Sequence, residues 1–326
     1  MAIFYPVAHR SDEEIAAIKA RYETFDEQSI PHILRDSLGM SAVSWKKPES
    51  WSTSHIIYMV TVSERERPVV LRANIGWGKP EVYMEVEKRI TDEVATMSIP
   101  VNRILYVDAS RKKFPFDFQL QDMLEGMDIE AHFHGTREDY DQISFDLGRY
   151  VAMWGELRYE GFGRFDNPKS TMYDYIVTRL DEDIAFLCDK KILLYPDKVR
   201  NLFETYKPVM NVKTGTLVQY DLADHNMMFD GKRTITGIYD WEAAIIGDPV
   251  LDLASAPTWK TQYPRQKKMI EGYKSIRDLP NFFQEKMDIY RLRTMIWKMV
   301  YAKRVGILND DRKKKFDAAL SPFGLS

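Results

Sequence analysis

The sequence predicts an α+β protein of two lobes: a small antiparallel sheet lobe with one main helix, then a larger, mainly helical lobe. Two observations carry this. Between Ala42 and Gln121 the apolar residues alternate or cluster in short β-branched and aromatic runs, with a single helical segment among them. Beyond Gly126 they recur every three or four positions instead, the spacing of a helix face. The length, 326 residues, suits about two domains. The boundary is drawn after Asp122, giving lobes of residues 1–122 and 123–326.

Taken in order, Ser11-x-x-Glu14 has the form of a capping box, in which the hydroxyl and the carboxylate each accept an unpaired N–H. With Ile15, Ile18 and Tyr22 behind it, a helix is expected over Asp12–Phe25. Ala42–Lys46, His55–Val62 and Pro68–Ala73 read as strands, the last two joined by the polar Ser63-Glu64-Arg65-Glu66. Tyr83, Val86, Ile90, Val94 and Met97 predict a helix over Glu81–Met97, ended by Pro100. Val101–Val107 and Phe116–Gln121 complete a β-β-β-α-β-β order. Helices are then expected over Arg137–Arg158, Ser170–Phe186, Lys198–Tyr206, Arg265–Tyr273 and Phe283–Val300. In the last, Met287, Leu292, Met295, Ile296 and Met299 form an apolar stripe that belongs in a core. Thr216–Tyr220, Asn226–Phe229 and Thr234–Asp240 interrupt as short strands, the last two joined across Asp230-Gly231, a common hairpin dipeptide.

Composition excludes more than it assigns. With 46 Lys and Arg against 49 Asp and Glu the net charge is −3, and no basic run reaches five residues, so nucleic acid is not an expected partner. No apolar run approaches the ~18–20 residues of a membrane helix. The single cysteine, Cys188, rules out an internal disulfide framework and fits a reducing compartment, so a cytoplasmic protein is expected. His132-x-His134 invites a metal pair, but a polar segment connecting the lobes accounts for it better, and Asp224-His225 beside Asp221 has no second His or Cys group at ligand spacing.

The chemistry lies in Gln219-Tyr220-Asp221-Leu222-Ala223-Asp224-His225-Asn226 and in Ile238-Tyr239-Asp240-Trp241-Glu242. Asp221 and Asn226 have the D-x-x-x-x-N spacing of a kinase catalytic loop, and Asp240 follows 19 positions after Asp221, beyond a hairpin. Phosphoryl transfer needs a carboxylate to orient and deprotonate the attacking hydroxyl, and oxygen ligands that hold Mg²⁺ against the nucleotide phosphates. Asp221 suits the first role, while Asn226 and Asp240 are hard oxygen donors for the second.

At these residues the chain resembles the aminoglycoside phosphotransferase family of small-molecule kinases. That family's pattern runs H-G-D-x-x-x-x-N, then I-D-W-E, then G-D-P-x-x-D-L-A. Here the corresponding stretches are Val218–Asn226, Ile238–Glu242 and Gly247–Ala254. Upstream, Val69–Arg72, Ile99–Val101 and Leu124–Gly126 resemble the family's third strand, post-helix P-V-P and hinge end. Arg67–Asn74 and Gly161-Phe162-Gly163 are most similar to the hygromycin phosphotransferase branch. The resemblance implies a bilobal protein-kinase-like fold. It implies Asp221 as catalytic base, Asn226 and Asp240 as metal ligands, and Arg72 where many kinases hold the nucleotide phosphates with lysine. Glu87 is implied as its helix partner, with Glu85 as the alternative. Asp122 and Met123 fall at the hinge, where backbone groups would read the adenine edge. Asp248 and Asp252 are implied to cap and brace the loop after Trp241. Gln219-Tyr220 replaces His-Gly, Arg72 replaces Lys, and the presumed nucleotide loop Ser50–Ser54 has no glycine.

The function so implied is an ATP- or GTP-dependent, Mg²⁺-dependent kinase. Its γ-phosphoryl group would pass to a hydroxyl of a small molecule, an aminoglycoside, macrolide or related sugar-containing compound. Glu242 and Asp224 offer acidic contacts to a cationic acceptor, and ordinary surface acidity accounts for them equally. Two rivals stay open: a nucleotide-binding pseudokinase without turnover, and a metabolic kinase for an amino alcohol or hydroxy amino acid.

Overall fold

The computed structural model describes residues 11–22, 24–48, 55–74 and 84–325. The presumed nucleotide loop Ser50–Ser54 therefore lies outside the described residues. The chain forms two compact units. One takes in the described chain up to Gly126 together with Thr236–Glu242; the other holds Met127–Ile235 and Ala243–Ser326. No helix among the described residues is long and apolar enough to cross a membrane.

The first unit opens with α1 (Asp12–Tyr22), where Ser11 N–H donates to Glu14 Oε2 at 2.7 Å and Glu14 N–H to Ser11 Oγ at 3.2 Å, the expected capping box. A helix that the sequence reading missed follows, α2 (Ser29–Leu38), closed by Gly39 in the left-handed region. Its stripe Ile30, Ile33 and Leu34 is interrupted by Pro31 and His32, which hid the helical period. The sheet is β1 (Ala42–Lys46), β2 (Ile56–Val62), β3 (Val69–Asn74), β4 (Ile104–Asp108) and β5 (Asp117–Asp122), in the order β1-β2-β3-β5-β4. All of its pairings are antiparallel. Between β3 and β4 runs α3 (Met84–Ala95).

Alternation decides what each face carries. Tyr58, Val60, Leu71, Ala73, Phe118 and Leu120 join the α2 stripe in one core cluster. Arg72, between Leu71 and Ala73, therefore leaves on the opposite face, where α3 supplies Glu87. The late segment is zipped onto this unit by backbone. Ile238 N–H donates to Pro100 O at 2.8 Å, and Val101 bridges Ile238 in parallel.

The second unit begins with β6 (Met127–Asp128), α4 (Ile129–His132) and α5 (Arg137–Trp154), the last entered through a Thr136/Asp139 capping box. Next come β7 (Arg158–Tyr159), α6 (Met172–Ile176), α7 (Leu180–Asp189) and α8 (Pro196–Thr205). The single helix expected over Ser170–Phe186 is thus two, broken where Arg179 adopts φ +55°. Then follow β8 (Gly215–Val218), β9 (Met227–Phe229), β10 (Ile235–Ile238), whose residues from Thr236 onward belong to the first unit, and β11 (Ile245–Gly247). Helices α9 (Val250–Ser255), α10 (Gln266–Lys274), α11 (Phe283–Arg304) and α12 (Asp310–Leu320) complete the chain. β8 lies between β11 and β7, and β9 pairs with β6. α5 and α10 cross where Gly148 and Gly272 face backbone. A Cβ there would stand 2.0 Å from Met269 O and 1.9 Å from Phe145 O.

Candidate active site

Each unit carries one part of the constellation. In the first, Arg72 is buried at 6% exposure and its guanidinium gathers three carboxylates. Nη1 donates to Glu87 Oε2 at 2.7 Å, while Nη2 donates to Asp240 Oδ1 at 3.0 Å and Glu242 Oε2 at 2.6 Å. His55 Nε2 lies 2.7 Å from the same Glu242 oxygen. Glu87 also accepts the Trp241 N–H through Oε1 at 3.1 Å, so one α3 carboxylate fixes both the strand cation and the chain just past Asp240. Asp240 itself sits at φ +61°, a left-handed conformation that Asp tolerates better than most residues.

Three carboxylates share one guanidinium, and the electrostatics follow. Burial pushes Glu87 up to about 7, with Asp240 and Glu242 adding to the rise and Arg72 opposing it. Burial works the same way on Glu242, but His55 and Arg72 outweigh it and hold that carboxyl well below the usual range. The Arg72 guanidinium, which burial alone would weaken, is held firmly protonated by Glu87, Glu242 and Asp240. The cluster carries more acid than base, so it attracts further positive charge. Asp240 brings a hard oxygen donor to this edge of the cluster.

Lysine at this position would bring a point charge; arginine brings a planar fork that spans all three acids. Arg72→Lys is expected to keep the Glu87 pair and lose at least one of the other two, costing about 2 kcal/mol for one charge-assisted hydrogen bond. Urea unfolding of the two chains measures that difference.

In the second unit the stretch after β8 is locked by its own polar groups. Asp221 N–H donates to Gln219 Oε1 at 2.7 Å, and Ala223 N–H to Asp221 O at 2.7 Å. Asn226 Nδ2 donates to Asp221 O at 3.0 Å and to Asp221 Oδ2 at 2.9 Å. That bond orients the Asn226 amide, turning its oxygen away from Asp221. Asp221 and Asn226 are thus brought together, as are Arg72, Glu87 and Asp240 in the other unit.

The substituted Gln219-Tyr220 pair is now accounted for. Tyr220 has φ +68°, a region that favours glycine, so a tyrosine there is strained. Its buried ring compensates: Trp297 Nε1 donates to the phenol oxygen at 3.1 Å, and Thr294 Oγ1 is 3.2 Å away. Asp252 holds the same turn, accepting from Gln219 N–H at 3.1 Å, Tyr220 N–H at 2.7 Å and Trp154 Nε1 at 3.0 Å. It braces the stretch before Asp221, not the loop after Trp241. Asp248 does cap, its Oδ1 accepting Val250 N–H at 3.0 Å, and it pairs with Lys286 at 2.7 Å.

Two acids offered as contacts for a cationic acceptor are already engaged. Asp224 is 1% exposed and accepts from Tyr140 Oη at 2.9 Å and from the Arg265 guanidinium. Glu242 is bound by Arg72 and His55. Asp122 ends β5, pairs with Arg65 at 2.6 Å and donates its N–H to Arg103 O at 2.9 Å; Met123 follows it. His132 and His134 line a cleft with Lys232 and Arg233, cationic company for a metal. No cluster of three or more His, Cys, Asp or Glu suited to a metal occurs among the described residues. Sequence reasoning missed His55, the Arg72 link of Glu242 and the reach of Asp252. Only the fold, which joins residues 187 and 170 positions apart, exposes the first two.

A family model described as the phosphotransferase enzyme family matches residues 50–278. No curated protein matches the chain in sequence. Among solved structures, a thermostable mutant of aminoglycoside phosphotransferase APH(4)-Ia, in ternary complex with AMP-PNP and hygromycin B, aligns with 91% of this chain and 100% of its own. Its TM-score is 0.66 at 16% identity. Macrolide 2′-phosphotransferase MphH from Brachybacterium faecium aligns over 90% and 98%, with TM-score 0.59 and 14% identity. A streptomycin–ATP–APH(2″)-IIa ternary complex aligns over 91% and 96%, with TM-score 0.57 and 13% identity. The fold is therefore the kinase-like one that these structures share.

Proposed function

Since the chain belongs to the phosphotransferase enzyme family, we propose that it moves the γ-phosphoryl group of ATP or GTP onto a hydroxyl of a small molecule. The acceptor class is an aminoglycoside, macrolide or related sugar-containing compound. The observation that carries the reading is the Asp221–Asn226 pair, locked at 2.9 Å in a turn that three buried N–H donors pin to Asp252.

Asp221 is the general base. It is 8% exposed, held by its own main chain, and so meets an incoming hydroxyl without rearranging. Asn226 and Asp240 would hold Mg²⁺, which supplies neutralising charge to the nucleotide phosphates. Arg72, positioned by Glu87, ties Asp240 to the sheet face, and the main chain at Asp122 and Met123 reads the base. The single cysteine supports a cytoplasmic setting.

The test is acceptor-dependent ADP release with Mg²⁺, run over hygromycin B, streptomycin, a macrolide and simple sugars. Release with at least one hydroxylated acceptor, abolished by EDTA, is expected. Nucleotide binding with no release over the whole panel would favour the pseudokinase.

A further inference from the structure

Five lysines and arginines are buried among the described residues: Arg72, Arg265, Lys286, Arg293 and Lys298. Four of them hold a carboxylate. Arg72 has Glu87 at 2.7 Å, Lys286 has Asp248 at 2.7 Å, Arg293 has Asp183 at 3.0 Å, and Arg265 has Asp224. Lys298, 9% exposed on α11, has no carboxylate within ion-pair distance among the described residues. Its Nζ donates to Thr258 Oγ1 at 2.6 Å and stands 3.0 Å over the centre of the Trp259 ring. A buried ammonium left without a counter-ion is expensive, so a fold that keeps one either neutralises it or reserves it for an anion.

Three neighbouring features favour the second use. Trp259 Nε1 is buried and has no hydrogen-bond acceptor among the described residues, so a second donor beside Lys298 is unspent. Lys315 Nζ donates to Trp259 O at 3.1 Å and pairs with Asp311 at 3.0 Å, and Lys298 feels the charge of both Lys315 and Arg312. The position is also next to the chemistry. The preceding residue, Trp297, donates to Tyr220, and Asp221 is close enough to favour the charged form of Lys298 against the burial that pushes it well below the usual lysine range. Trp259 is only partly buried and Lys315 keeps 25% of its side chain exposed, which leaves a way in.

We infer that Lys298 and Trp259 Nε1 form an anion-binding acceptor subsite, which seats a carboxylate of a hydroxylated, sugar-like acceptor beside the Asp221 turn. This rests on the phosphotransferase reading and narrows it. The two acids once offered to a cationic acceptor are spent on Arg265 and on Arg72 with His55.

The test titrates the whole protein calorimetrically with D-glucuronate, D-glucose and D-glucosamine, three probes of one size that differ in charge. Each is run with and without AMP-PNP and Mg²⁺. D-Glucuronate is expected to bind at least tenfold more tightly than the other two. Lys298→Met should erase that preference, while Lys298→Arg should retain it and AMP-PNP affinity should stay unchanged in both. Lys298→Met removes an unpaired buried charge at nearly constant volume, so it should unfold no earlier than the wild type. D-Glucosamine binding as tightly as D-glucuronate, a preference that survives Lys298→Met, or no binding by any of the three would overturn the subsite. Failure of AMP-PNP to bind the wild type is a separate result, and it would strike the phosphotransferase reading instead.

Discussion

Asp221→Asn should lower kcat by about 10²–10⁴-fold, the usual worth of a positioned general base, with the nucleotide KM and the unfolding midpoint close to wild type. The argument is one of isosteres. An asparagine at 221 keeps its N–H on Gln219 Oε1 and its main-chain oxygen on Asn226 Nδ2. Its side-chain oxygen can still accept the second Asn226 contact, now made to Oδ2 at 2.9 Å. What it lacks is basicity: a carboxamide takes no proton from the acceptor hydroxyl. The loss should therefore fall on turnover and spare binding, the pattern of an interaction made only in the transition state. Steady-state ADP release with the best acceptor, paired with AMP-PNP titration, separates the two. A fall of less than tenfold, or equal losses in binding and turnover, would remove Asp221 from the role of base.

How much of this was legible in the sequence depends on the range of the interactions involved. Local signals worked. Ala42–Lys46 was placed to the residue, and the Ser11/Glu14 capping box forms as the spacing predicted, because both depend on neighbours a few positions apart. The long helix from Phe283 announced itself by its apolar stripe, which is buried. Short or interrupted elements did not. α9 is six residues long, too short for a period to register. α12 is mostly charged, with Phe316, Ala319 and Leu320 its only buried residues.

The site divides in the same way. Asp221 and Asn226 share one turn, so their spacing encoded their contact. Of Glu87 and Glu85, the two acids offered as the Arg72 partner, Glu87 is the one buried against Arg72, at 2.7 Å. Glu242 looked like a surface acid because nothing near it in sequence is basic. Its cation arrives from β3, 170 positions away. Lys298 sat unremarked within an apolar stripe, and only the tally of buried charges singles it out.

Asp252 is where loss of one side chain should be felt by stability and turnover together. Its two oxygens take three buried donors, Gln219 N–H, Tyr220 N–H and Trp154 Nε1. Asp252→Ala strands all three, and at about 1–3 kcal/mol for each unsatisfied buried group the sum should come to about 4 kcal/mol, read as a lower urea midpoint. The strained Tyr220 turn would lose its two main-chain anchors, so Asp221 should be held less firmly and kcat should fall as well. The pH dependence has a definite sign. Burial pushes Asp252 up to about 6 against the pull of its donors, from 3.8 for an ordinary aspartate. Between those values the folded chain binds a proton that the unfolded chain does not. This group's contribution is therefore fully present below about 3.8 and lost as pH rises through 6, a change of about 3 kcal/mol at 1.36 kcal/mol per unit. Function runs the other way. The protonated acid has one oxygen fewer to offer its donors, so turnover should decline as pH falls through 6. Asp252→Asn, neutral throughout, should lack this group's share of both slopes and keep the low turnover at every pH. An Asn variant that matched the wild type at pH 7.5 in both kcat and urea midpoint would show that the Asp221 turn stands without its brace.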